Sequence, residues 1–134
     1  LSVINPKKED EVATKYVDRL GIKVVDNNQL ALTLSGGNQQ KLVLARELGQ
    51  APAVLLVGQP TRGVDIGAIE FIYAQLRALR DAGGAVLLVS SELDEILALS
   101  DRVLVMNQGR IAGALPIADC TEARLGLLMA GSAT

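Results

Sequence analysis

Two short apolar runs constrain this chain more than any other feature: Ala53-Val54-Leu55-Leu56-Val57 and Ala85-Val86-Leu87-Leu88-Val89-Ser90. Neither alternates apolar with polar residues, and the first is bounded by Pro52 and Gly58, the pattern of a strand covered on both faces. Between them Ile69, Ile72, Tyr73, Leu76 and Leu79 fall at helical spacing, which predicts a helix from about Gly67 to Asp81, ended by Gly83-Gly84. Strand, helix, strand is an α/β order, and a mostly parallel, buried sheet with flanking helices follows from it.

The flanking segments fit this class. Asn5-Pro6 is a good helix start, with Asn as cap and Pro in the first turn, and that helix should run to about Leu20 and stop at Gly21. Val12, Tyr16, Val17 and Leu20 form its apolar stripe, and Asp26-Asn27-Asn28 reads as a turn. After the second apolar run, Ser91 is placed to cap a further helix, with Asp94 three residues on. Gln108-Gly109 lies between two strand-like runs, 101–107 and 110–115, and predicts a hairpin. Thr121 caps a last helix ending near Ala130-Gly131. Met106 and Phe71 read as core residues.

Composition narrows the chemistry. With 134 residues there is room for one small domain or part of a larger one. A net charge of −2 gives no reason to expect nucleic acid or an anionic membrane surface as partner. Cys120 is the single cysteine, so no internal disulfide can form and a reducing cytosol is the simpler setting. The absence of His removes the commonest general base and metal ligand. No Gly-Lys pair occurs either, so the phosphate-cradling G-x-x-x-x-G-K-[ST] loop is not in this sequence. That gap, with Leu at residue 1, leads to the expectation that the chain is the later part of a longer protein.

One stretch does carry phosphate chemistry. In Leu34-Ser35-Gly36-Gly37-Asn38-Gln39-Gln40-Lys41, a capping serine and two glycines precede a run, 39–48, that reads as helix. The first N–H groups of a helix have no intrahelical partner and stand at its positive end, where an anion is held well. The whole string resembles the signature motif of ATP-binding cassette (ABC) proteins, in the form found in the second cassette of sugar and nucleoside importers. Gln59-Pro60-Thr61-Arg62-Gly63-Val64-Asp65, Ser90-Ser91-Glu92-Leu93-Asp94-Glu95 and Ser100-Asp101-Arg102-Val103 follow in the order that family uses, and Gly58-Gln59-Pro60-Thr61-Arg62-Gly63 resembles its nucleoside-type branch.

This resemblance implies a partial P-loop NTPase fold, with residues 1–50 ending the helical signature subdomain and 51–134 completing the core. It implies that Ser35, Gly36, Gly37 and Gln39 contact ATP held by a partner cassette, and that Asp65 lies in a loop crossing the dimer interface. It also shows three departures: Gly58 where the family carries a magnesium-holding carboxylate, Gln59 where it carries the glutamate that polarises water, and Ser91 where it carries a switch histidine. Gly58 can ligate nothing, a glutamine amide is too weakly basic to accept a proton, and a serine is shorter than a histidine and cannot carry charge. The domain's own site is therefore expected to be degenerate, with no intact catalytic residue and no metal ligand of its own.

The implied whole is a peripheral ATPase subunit at the cytoplasmic face of the bacterial inner membrane, powering import of a nucleoside or simple sugar. Its partners would be a first cassette in the same polypeptide, transmembrane permease subunits and, indirectly, an extracytoplasmic solute-binding protein. ATP and Mg2+ would be bound by the full dimer; the chain alone is expected to hold neither, to turn over no ATP and to self-associate through uncovered sheet edges. Two other classes share parts of the pattern. DNA-maintenance ATPases carry a similar signature but need coiled coils and a basic patch, and a non-catalytic regulatory module is the third reading.

Overall fold

A computed structural model describes residues 5–131. They divide into two compact units, Leu1–Leu87 and Leu88–Thr134. The fold class is the α/β one expected, with helices around a small parallel sheet and a hairpin.

The first unit begins with α1 (Pro6–Leu20), whose Asn5 cap accepts the amides of Lys7 and Lys8, and whose end is Gly21 in the left-handed region at φ 56°. Leu20 is buried and Tyr16 and Val17 are half-buried, but Val12 is 53% exposed, so the apolar stripe is narrower than its spacing suggests. Asp26 accepts the amide of Asn28 in the expected turn, and a single 3-10 turn at Ala31–Thr33 leads to α2 (Gly36–Leu48). Leu20, Ile22, Leu34 and Ala45 make one core cluster, with Tyr16, Val17, Val24 and Phe71 packed against it.

The strand β1 (Val54–Gly58) pairs with β2 (Ala85–Val89), and α3 (Ile66–Asp81) lies between them in sequence. Ala68, Ile72 and Leu76 are the buried positions of α3. The strands are not covered on both faces as their composition suggests. Leu55 is buried, whereas Val54 is 61%, Leu56 73%, Leu87 53% and Val89 60% exposed. Successive strand side chains point to opposite faces, so this alternation means that the described residues cover one face only.

In the second unit α4 (Leu93–Leu99) has Glu92, not Ser91, at its N-cap and no side-chain capping bond. The turn before it is closed instead by Ser90, whose Oγ accepts the Glu92 amide at 3.0 Å. The hairpin forms between β3 (Arg102–Asn107) and β4 (Arg110–Pro116), antiparallel, with Gln108 and Gly109 both at positive φ (47° and 74°). A register shift at Val105/Met106 marks a bulge. Thr121 caps α5 (Glu122–Met129), and Leu125 on that helix packs with Val103 and Val105. Met106, expected in the core, is 67% exposed, because it points to the face of β3 opposite Val103 and Val105.

Candidate functional site

The helix α2 starts three residues earlier than its apolar run suggests, so Gly36 and Gly37 form its first turn rather than a loop before it. Ser35 is extended at φ −61°, ψ 156°, and its Oγ accepts the Asn38 amide at 3.4 Å and Asn38 Nδ2 at 3.1 Å. Asn38 then turns its Oδ1 to accept the Lys23 amide at 3.1 Å, which fixes the segment leaving α1 to the start of α2. Gln39 Nε2 donates to the Leu34 carbonyl at 2.9 Å, bracing the residue before the cap. Lys41 Nζ donates to the carbonyl of Gly21, just past α1, at 3.1 Å and sits 4.7 Å from the centre of the Phe71 ring on α3. Three helices thus meet on side chains of this one string.

The two glycines are demanded by their neighbours. A Cβ on Gly36 would lie 3.0 Å from the Gly63 carbonyl oxygen, and one on Gly37 would lie 2.9 Å from Asp65 Oδ2 and 3.0 Å from the Ala68 Cβ. The loop 59–65 is therefore pressed against the first turn of α2. Asp65 is the N-cap of α3 and accepts the Ala68 amide through Oδ1 at 2.9 Å. Ser35, Gly36, Gly37 and Asp65 are brought together, and the Gly36 and Gly37 amides belong to a helix turn with no intrahelical acceptor, as a phosphate ligand requires. The sequence singles out Ser35, Gly36, Gly37, Gln39 and Asp65 among the interlocking residues but not Asn38, Lys41 and Gly63, whose partners lie 15, 20 and 27 positions away.

An apolar cavity of about 340 Å³ lies beside this site, lined by residues such as Tyr16, Val17, Val24 and Leu34. Its walls offer little polar surface, so it does not compete as the phosphate site.

The strand end is built differently. A Cβ on Gly58 would meet nothing within 4 Å, and Gln59 holds a positive φ of 49°. Ser91 is exposed and belongs to the second unit. Among the described residues no group of three or more His, Cys, Asp or Glu could hold a metal ion. Gly58 brings no side-chain donor to a magnesium ion at this strand end. Elsewhere in the second unit, Glu95 on α4 is 1% exposed and both its carboxyl oxygens lack a hydrogen-bond partner.

Comparison with known proteins gives the family. The chain is 46% identical over 132 residues to the guanosine import ATP-binding protein NupO of Bacillus subtilis (strain 168), covering 98% of this chain and 26% of that protein. It is 50% identical over 120 residues to the arabinose import ATP-binding protein AraG of Ralstonia nicotianae (89% and 24%), and 46% identical over 128 residues to the ribose import ATP-binding protein RbsA of Bacillus licheniformis (96% and 26%). Among solved structures, the dimeric bacterial ABC transporter cassette MJ0796 superposes with a TM-score of 0.72 at 20% identity, over 87% of this chain and 50% of that one. The ABC transporter cassette MJ1267 superposes with a TM-score of 0.71 at 21% identity, over 97% and 49%. This chain belongs to the ATP-binding cassette family. No family model matches it. It spans about a quarter of the length of its curated relatives and about half that of the solved cassettes. Among the described residues, no helix of this cassette segment is long and apolar enough to cross a membrane.

Proposed function

We propose that this chain is the signature-bearing part of an import ATPase whose own catalytic strand end is degenerate. Ser35, Gly36, Gly37 and Gln39 face ATP held by a partner cassette, and the protein powers entry of a small polar solute, a nucleoside or simple sugar. The observation that carries the reading is the contrast within one chain: a helix start locked by Asn38, Lys41, Gly63 and Asp65, beside a strand end where Gly58 and Gln59 provide neither metal ligand nor base. The relatives named as guanosine, arabinose and ribose import proteins support the solute class. ATP supplies the γ-phosphate and its charge; the residues of this chain supply N–H groups, a hydroxyl and the fixed position of both. Further partners in this reading are the first cassette of the same polypeptide, permease subunits and a solute-binding protein, at the cytoplasmic membrane face. The exposed Val54, Leu56, Leu87 and Val89 then form the surface on which the remainder of the cassette packs.

The test is Ser35→Asp in the complete protein. Aspartate caps a helix as well as serine, so folding should persist, but it sets a negative charge against the phosphate. ATP turnover is expected to fall by at least about tenfold, at an unchanged melting temperature. Unchanged turnover would remove the signature from the reaction.

A further inference from the structure

The carboxylate of Asp65 is divided between two helix starts. Its Oδ1 accepts the Ala68 amide at 2.9 Å and caps α3, while its Oδ2 lies where a Cβ on Gly37 would come within 2.9 Å of it. Capping alone does not call for a charge, because Asn and Ser cap as well as Asp. Neither α2 nor α3 has an acidic residue in its first turn; Asp65 caps α3 and its other carboxylate oxygen lies beside Gly37 in the first turn of α2. The Gly36-Gly37 pair is pressed against the same loop by the Gly63 carbonyl, so the turn that offers its amides to a phosphate already has a carboxylate as neighbour.

We propose that Asp65 is a positioning residue that sets how tightly the signature turn holds phosphate: it fixes the loop to Gly37 and its negative charge weakens the anion's hold there. The proposal rests on the reading of α2 as the phosphate-facing turn. A carboxylate next to the turn lowers affinity for the γ-phosphate and so favours release after each cycle. Asp65 is solvent-exposed, so the effect is modest and falls with added salt.

The experiment is steady-state ATP turnover of the complete import ATPase at low and high salt, comparing wild type with Asp65→Asn and Asp65→Ser, both of which keep a capping oxygen. Glu70→Gln, an exposed charge on the same helix, is the control. At low salt the Asn and Ser variants are expected to lower KM for ATP by about two- to fivefold, the effect of one charge near a helix start, with a smaller gain at high salt and no change in the control. A purely structural cap would leave KM and its salt dependence where they are in Asp65→Asn, and that result overturns the proposal. If Ser35→Asp also leaves turnover intact, the phosphate reading of α2 fails first; if Ser35→Asp abolishes turnover while Asp65→Asn leaves KM unchanged, only the role of Asp65 fails.

Discussion

At Gly37 a Cβ would stand 2.9 Å from Asp65 Oδ2 and 3.0 Å from the Ala68 Cβ, whereas at Gly58 it would meet nothing within 4 Å. The same residue type thus has opposite standing at the two ends of the site. In the first turn of α2, glycine is what allows the loop 59–65 to close on the helix, and Ser35, Asn38, Gln39 and Lys41 each use a polar group to tie the start of α2 to itself and to the segment leaving α1. At Gly58 no packing requires glycine. The difference separates a glycine under geometric constraint from one that its surroundings leave free to vary.

The steric half of the comparison is the easiest to break. Gly37→Ala should destabilise the chain by about 1–3 kcal/mol, because the Asp65 carboxylate and the Ala68 methyl, both held at the start of α3, cannot both withdraw. Gly58→Ala should be neutral or stabilise by up to about 0.5–1 kcal/mol, the gain from removing glycine from a strand. Denaturant melts of the two variants measure both, and equal losses would erase the distinction.

A smaller effect sharpens the polar half. The polar side chains of the α2 start are hydrogen-bonded, while the buried carboxyl of Glu95 has no partner. Glu95→Met, of similar volume, should therefore raise stability by on the order of 1 kcal/mol in the same melts, the desolvation cost of an unpaired buried group. A loss of stability would mean that Glu95 is satisfied in solution.

Much of this could be read from local pattern. Asn5, Ser35 and Thr121 cap the helices they are expected to begin, and Gln108-Gly109 makes the hairpin, because a cap or tight turn is decided within four residues. The Ser91 cap is not made: Glu92 holds the N-cap position without a side-chain bond, and Ser90 accepts the Glu92 amide in the turn before it. Strand faces were harder. A run such as Val54-Leu55-Leu56-Val57 records what a strand tolerates on each face, but whether a layer covers Leu56 depends on distant segments. Hidden for the same reason were Asn38 and Lys41. Their spacing marks them as helix surface, and only the return of the chain past Gly21 and Phe71 gives them partners.

The central claim is asymmetry: a complete signature offered to a neighbour's ATP, and a strand end at Gly58 and Gln59 that cannot activate water. Its most direct measurement is a single-turnover experiment on the complete two-cassette protein, loaded with ATP at both sites and followed by separation of bound ATP from ADP. The asymmetric account expects a burst that converts half of the bound ATP and leaves the other half intact, with Gly58→Asp, Gln59→Glu and Ser91→His together raising the converted share. Conversion of all bound ATP by the unaltered protein would contradict it.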